Sequence, residues 1–355
     1  MMTESATEAG TERYATRFQV PWSQRFYRRA QEWTVSSIGI GTYLGNMDDA
    51  TDRGYREAIG AAVRSGINFI DTSLNYRHQR SELCIGSAIE SLVSSREIAR
   101  DEFVICTKAG YLVPGAIPSG IWRATDVVAG MHSMATPFLA DQIDRSRANL
   151  RIETIDVFYL HNPETQLGHI PSEEFEVRVR AAFEFLEQQV AIGKIGYYGT
   201  ATWDGYRRAA EAPDRMSLAR MVEIAQQAGG VHHHFRFIQL PFNLAMAEAF
   251  LERPERVNGA PLSVLEAAAQ SGITVIGSAT LLQARLARNL PGELSARFPG
   301  AATDAQRSIQ FARSAPGIAV ALVGMSKAAH VAENLALAQF PPLNPEEYQR
   351  LYRTA

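Results

Sequence analysis

Four residues of unlike chemistry stand where short apolar runs come to an end. Asp71 follows Ile67 to Ile70, Lys108 closes the run opened by Phe103 to Cys106, and His161 follows Ile155 to Leu160. Tyr76 lies five residues beyond Asp71 in the stretch DTSLNYRHQRSE. A phenol with an ordinary pKa of about 10 is a weak proton donor near neutrality, and a neighbouring ammonium would bring that value down. Lys108 is the group to do this, and Asp71 is the counter-charge that would keep the lysine ionised when buried. His161 offers an N–H that can orient an acceptor such as a carbonyl oxygen. Together the four can hand a proton to a developing alkoxide, but they hold no reductant of their own.

For these residues to meet, their strands must end side by side. Eight apolar or β-branched runs recur along the 355 residues: Val35 to Ile40, Ile67 to Ile70, Phe103 to Cys106, Ile155 to Leu160, Ile195 to Gly199, Phe235 to Leu240, Ile273 to Ile276 and Ile318 to Val323. Their near-continuous hydrophobicity suits parallel strands covered on both faces. Helical stretches alternate with them, over 50–65, 81–94, 139–150, 172–192, 262–271 and 328–338. AVRSGINF, QQVAIGKIG and AAQSGITV share one grammar, in which a glycine ends a helix and a strand follows. Count and alternation predict a closed (β/α)8 TIM barrel in a single domain over residues 13–355, preceded by a disordered tail at 1–12. Two βα connections, 109–136 and 278–303, exceed ordinary length and are candidate lids on the face where barrel chemistry occurs. Tyr111, Trp122, Met131 and Met134 in the first suggest an adaptable apolar wall.

Composition narrows the partners. A net charge of -3, 46% hydrophobic residues and 21% charged residues describe an ordinary globular chain with no basic excess for nucleic acid. No apolar stretch is long enough to cross a bilayer, and the polar start argues for a cytoplasmic protein. Cys84 and Cys106, the only cysteines, read as packed small hydrophobes. His232, His233 and His234 alternate faces in an extended segment and lack a metal-binding pattern, so no metal site is expected. Glu173, Glu174 and Glu176 read as charges favoured at a helix start.

DTSLNYRHQRSE resembles the aldo-keto reductase signature D-T-A-x-x-Y-G-x-x-x-S-E, with Asp71, Thr72, Tyr76, Ser81 and Glu82 in register. TK at Thr107-Lys108, YLH at Tyr159 to His161, GIGTYLG, GKIGYYG and GMSKAAHVAEN extend the resemblance along most of the chain. It implies that Tyr76 is the general acid/base, that Lys108 and Asp71 tune it, and that His161 positions a substrate carbonyl. It implies a small carbonyl or alcohol substrate and NADP(H), with NAD(H) as the other nicotinamide nucleotide. A β-hairpin over the barrel floor would then account for RFYRRAQEW.

By the same resemblance, Gly41, Thr42, Tyr43 and Asp71 lie near the nicotinamide ribose and pyrophosphate, and Gln239 near the carboxamide. Gly324, Ser326, Lys327, His330, Glu333 and Asn334 mark the adenosine end. Ala201 and Thr202 stand where the family has a serine-asparagine pair. Ser278, Ala279 and Leu281 fall in a segment that usually reads aromatic-Ser-Pro-Leu. Phe242 or Trp203 would then supply the stacking surface. These departures keep two other uses of the barrel open: acid/base chemistry without net redox, as in a dehydratase or epimerase, and a cofactor-sensing regulatory subunit.

Overall fold

Parallel strands without a turn between them need a crossover, and here each crossover is built around helix or long loop. The computed structural model describes residues 1–18, 25–119 and 123–352. Eight strands, β1 (Ile38–Gly41), β2 (Phe69–Asp71), β3 (Val104–Ala109), β4 (Ile155–His161), β5 (Ile195–Ala201), β6 (Phe235–Pro241), β7 (Thr274–Ser278) and β8 (Ile318–Gly324), close into a parallel barrel in sequence order. Register sets the ends level: Gly41 pairs with Asp71, Lys108 with Tyr159, His161 with Ala201, Ala201 with Gln239 and Gly324 with Gly41. Alternate side chains fill the interior, among them Phe69, Val104, Cys106, Val157, Tyr159, Phe237, Ile276 and Val320. Their outward neighbours pack under the helices, so both strand faces are dry, as the unbroken apolar runs require.

The glycines that were expected to end helices do so in the left-handed region, with φ of 107° at Gly66, 75° at Gly193 and 66° at Gly272. The first run divides: Trp33–Ser36 pairs antiparallel with Tyr27–Ala30 as a hairpin, and only Ile38–Gly41 enters the barrel. Two further helices, Leu218–Gly229 and Asp304–Ser314, complete the outer layer. Trp33 stacks on Phe237 at 5.9 Å, so the hairpin does seal the barrel floor.

Residues 1–12 are not a disordered tail. Met2 N–H donates to Arg151 O at 2.8 Å, the Thr7 hydroxyl caps the helix Glu8–Thr16, and Ala6 N–H donates to buried Asp156 Oδ1 at 2.8 Å. The polar composition masked a cap followed by an acidic first turn, which is a helix start rather than a sign of disorder. Asp156 also accepts from Arg100 Nη2 and from Ile105 N–H, each at 2.7 Å, and so ties the N-terminal segment to β3 and β4. Among the described residues, no helix is long and apolar enough to cross a membrane.

Replacing Asp156 by alanine strands a buried guanidinium, and removing one partner of such a pair costs about 3–5 kcal/mol. Asp156→Ala should lose that much in urea unfolding and should speed protease cleavage before residue 17. Unchanged stability would show that the N-terminal segment is not held through this carboxylate.

Candidate active site

Lys108 and Asp71 sit on adjacent strands, Lys108 two residues beyond Cys106, the register partner of Asp71, and both are buried. Lys108 Nζ donates to Asp71 Oδ1 at 2.6 Å and to Thr72 O at 2.7 Å, while Gln239 Nε2, from β6, donates to Asp71 Oδ2 at 2.8 Å. Nζ lies 5.2 Å from the centre of the Tyr76 ring, whose edge meets His161 at a centroid distance of 5.8 Å. The four residues expected to converge therefore do so.

Their electrostatics differ from the expectation in one respect. Burial, then the Asp71 charge and the neighbouring phenols of Tyr43 and Tyr111, push the Tyr76 phenol well above its ordinary range. Lys108 does not bring it down, because its charge is spent on Asp71 at 2.6 Å. Burial also raises the Asp71 carboxyl against the opposing pull of Lys108. Burial, followed by Lys108 and His132, drives His161 well below its usual value, so a neutral imidazole faces a protonated phenol.

The rest of the signature is structural. Ser81 Oγ donates to Thr42 O at 2.7 Å, and Glu82 accepts from Thr107 Oγ1 at 2.7 Å and from Asn149 Nδ2 at 2.8 Å, locking the helix Arg80–Ser94 onto the strand ends. Ser73, inside the same stretch, places its hydroxyl 3.0 Å from His161 Nδ1 and 2.9 Å from Lys108 O.

A cavity of about 500 Å³ opens over this group. Gly41, Thr42, Tyr43, Asp71, Ala201, Thr202, Gln239, Ser278, Ala279, Leu281 and Gly324 line it as expected. Ser326, Lys327, His330, Glu333 and Asn334 do not. They follow Gly324 along the exposed start and the body of the helix Ala328–Leu335, where Glu333 accepts from Thr303 Oγ1 at 2.9 Å and buried Asn334 Oδ1 has no partner. Phe242 is fully buried against Phe311, with ring centres 5.8 Å apart, and offers the cavity no surface; Trp203 lines it. Of the apolar wall, Tyr111 lines the cavity, Met134 is buried in the outer core, Met131 is exposed and Trp122 lies outside the described residues.

Sequence reasoning passed over Asn75, Asn162 and Thr280, which also line the cavity. Position beside Tyr76 and His161 was the available signal for the first two. The hydroxyls of Thr202 and Thr280 are buried without a hydrogen-bond partner.

Behind His161 stands His132, from the long loop after β3. Its Nε2 meets His161 O at 2.8 Å, and its Nδ1 meets Gln166 Nε2 at 3.0 Å. Because a carbonyl can only accept, Nε2 carries the hydrogen and Nδ1 takes the amide donor, which defines a neutral tautomer. Burial brings this imidazole down to about 4. Gly110 makes the contact feasible, since a side-chain carbon there would lie 2.6 Å from His132 Nε2. Among the described residues, no group of three or more His, Cys, Asp or Glu side chains is placed to hold a metal ion.

With fold and geometry in hand, comparison with known proteins is informative. The model of the Aldo/keto reductase family matches residues 37–293, so the chain belongs to the aldo/keto reductase family. A D-threo-aldose 1-dehydrogenase from Pseudomonas sp. is 27% identical over 192 residues; that match takes in 51% of this chain and 54% of the relative, so the chain spans about half the length of the curated relative it matches. An aldo/keto reductase from Klebsiella pneumoniae, solved in complex with NADP and acetate, superposes with a TM-score of 0.64 at 20% identity, covering 93% of this chain and 96% of that one. The glycerol dehydrogenase of Gluconobacter oxydans gives 0.65 at 17% identity, with 93% and 94% covered. Both likenesses are of fold.

The depressed His132 pKa makes a stability claim. Such a histidine stabilises the fold fully above its unfolded value of about 6.5, and that contribution is lost as pH falls towards about 4, because only the unfolded chain takes up the proton in this window. In His132→Asn, urea unfolding should show a loss between pH 6.5 and 4 that is smaller by up to about 3 kcal/mol. An identical loss in both proteins would mean that His132 titrates normally when folded.

Proposed function

We propose that this protein is an NADP(H)-dependent oxidoreductase that interconverts an aldehyde, ketone or sugar carbonyl with its alcohol, with Tyr76 as the general acid/base. The observation that carries the reading is the buried Lys108–Asp71 pair beneath a protonated phenol and a neutral imidazole, all at the wall of one cavity. The nicotinamide nucleotide, when bound, supplies or accepts the hydride. The remaining chemistry belongs to the chain. Tyr76 holds the proton that the carbonyl oxygen takes as it becomes an alkoxide, and in the reverse direction the phenolate accepts it back. As negative charge develops on the Tyr76 oxygen, the Lys108 ammonium, 5.2 Å from the centre of the ring, is placed to stabilise it. Ser73 Oγ has one hydrogen and carbonyl acceptors for it at Lys108 O, 2.9 Å away, and Asn75 Oδ1, 2.6 Å away; Nε2–H is free to orient the carbonyl oxygen only when that hydrogen turns to Nδ1 of His161.

The cavity suits a nicotinamide. Trp203 and Tyr43, both partly exposed in its wall, supply an aromatic surface, and the Gln239 amide stands at the end of β6 in the same wall. Lys327 and His330, exposed at the start of the helix Ala328–Leu335, are the groups for a ribose 2'-phosphate. The NADP held by the Klebsiella pneumoniae structure supports the same choice.

Among the described residues the lining contains no lysine or arginine, but it does contain the amides of Asn75 and Asn162 and the rings of Tyr43, Tyr111 and Trp203. That favours an uncharged hydroxylated carbonyl over a carboxylate- or phosphate-bearing one, in line with the aldose named for the curated relative. The protein is taken to work in the cytoplasm on small molecules.

Titration of the purified protein with NADPH and NADH, followed by a screen of aldoses, ketones and the matching uronic acids, tests this reading. Binding of NADPH and turnover of the neutral sugars are expected, with the acids slower. No binding of either nucleotide at millimolar level would sink it. Product formed without net NADPH oxidation would instead select the non-redox acid/base reading. Tyr76→Phe should lower turnover by ~100- to 10,000-fold while leaving NADPH affinity nearly intact. If affinity were lost and turnover kept, Tyr76 would be a binding group only.

A further inference from the structure

The residues that follow Tyr76 adopt a backbone that L side chains avoid. Arg77, His78 and Gln79 have φ of 50°, 50° and 73°, three consecutive non-glycine residues in the left-handed region. Glycine occupies the first of these places in the signature with which this stretch aligns, and glycine would adopt such a φ freely. An arginine held there needs compensation from its side chain.

That compensation is visible. Arg77 is buried, and its guanidinium ion-pairs with Asp52, donates from Nε to Asn46 O at 2.8 Å and from Nη2 to Asp48 O at 3.5 Å, and lies 5.3 Å from the centre of the Tyr55 ring. Asn46 and Asp48 belong to the loop after β1, the same loop that carries Tyr43. The Tyr43 ring meets the Tyr76 ring at 4.9 Å and walls the cavity, yet Tyr43 itself is 53% exposed. Tyr55, whose ring lies beneath the guanidinium, also donates from its hydroxyl to Leu44 O.

We propose that Arg77 is a positioning residue: it clamps the loop 43–48 to the turn that carries Tyr76 and thereby fixes Tyr43 against the phenol at the cavity mouth. Its planar fork reaches two carbonyls and a carboxylate at once, which a lysine cannot do. The clamp joins the backbone next to the proton donor with the wall above it, so the two keep one spacing. The consequence for turnover rests on the nicotinamide reading given above; the clamp itself does not.

Arg77→Gly removes the guanidinium while accepting the left-handed backbone, and Arg77→Lys retains the charge alone. In the full-length protein without added nucleotide, chymotrypsin should cut after Tyr43 and Leu44 about tenfold faster in Arg77→Gly, with Arg77→Lys in between and cleavage elsewhere unchanged. With NADPH and an accepted carbonyl substrate, Arg77→Gly should lose about tenfold in kcat/KM. Adding Tyr43→Ala to it should cost little more, although Tyr43→Ala alone is damaging. Cleavage after Tyr43 unchanged, or raised equally at every site, would overturn the clamp; so would fully additive effects of the two substitutions. If the unaltered protein bound neither nicotinamide nucleotide, the redox reading would fall, and the proteolysis comparison would still decide the clamp.

Discussion

The buried ion pair of Lys108 and Asp71 is the interaction on which the site depends. Taking both charges out of water costs several kcal/mol per ion, and their attraction offsets this only when the remaining hydrogen-bonding capacity is met. Here it is met from two directions, by Thr72 O on the lysine and by Gln239 on the far carboxylate oxygen. Gln239 arrives from β6, across the barrel from β2, so closure of the sheet is itself a condition for the pair. Burial is the main reason that Tyr76 rests as an un-ionised phenol and His161 as an un-ionised imidazole, with the Asp71 charge adding to the first and the Lys108 charge to the second. In the reaction proposed above, charge would develop on the phenol as the proton moves, with the ammonium already in place.

The loops above the barrel are braced against one another. The segment from Asn162 to Gln166 does much of this: Asn162 Nδ2 donates to Tyr111 Oη at 3.0 Å, Gln166 reaches His132, and Glu164 Oε1 accepts from Trp203 N–H at 2.6 Å and Asp204 N–H at 3.2 Å. Tyr111 and Trp203, two aromatic walls of the cavity, are thus positioned from the residues directly after His161. Arg77 and Ser81 do the same for the loop after β1. The cavity is shaped less by the barrel, which is common to many chemistries, than by these cross-links between its exits.

Departures from the family signature have local physical answers. Ala201 stands where the family has a polar residue, and Thr202 and Thr280 line the same cavity with their hydroxyls buried rather than open to it. Phe242 lies close in sequence to the site, yet packs outward against Phe311 because it follows Pro241 at the end of β6, where the chain turns into the outer layer.

Periodicity and residue type, without any coordinates, were enough to establish eight parallel strands, the glycine-ended helices and the meeting of Asp71, Tyr76, Lys108 and His161. These are local properties: an apolar run buried on both faces, a left-handed cap, a reactive group placed just past a strand. Other features were out of reach because they depend on residues far apart in the chain. Thr7 and Ala6 are held by Asp101, Trp33 and Asp156, all far from them in sequence. The Tyr76 phenol rises rather than falls because it is buried and feels the Asp71 charge, while Lys108 is paired with Asp71, and a balance of that kind is decided by burial and distance. Sequence order carries the chemistry present; three-dimensional packing alone determines which charge each group feels.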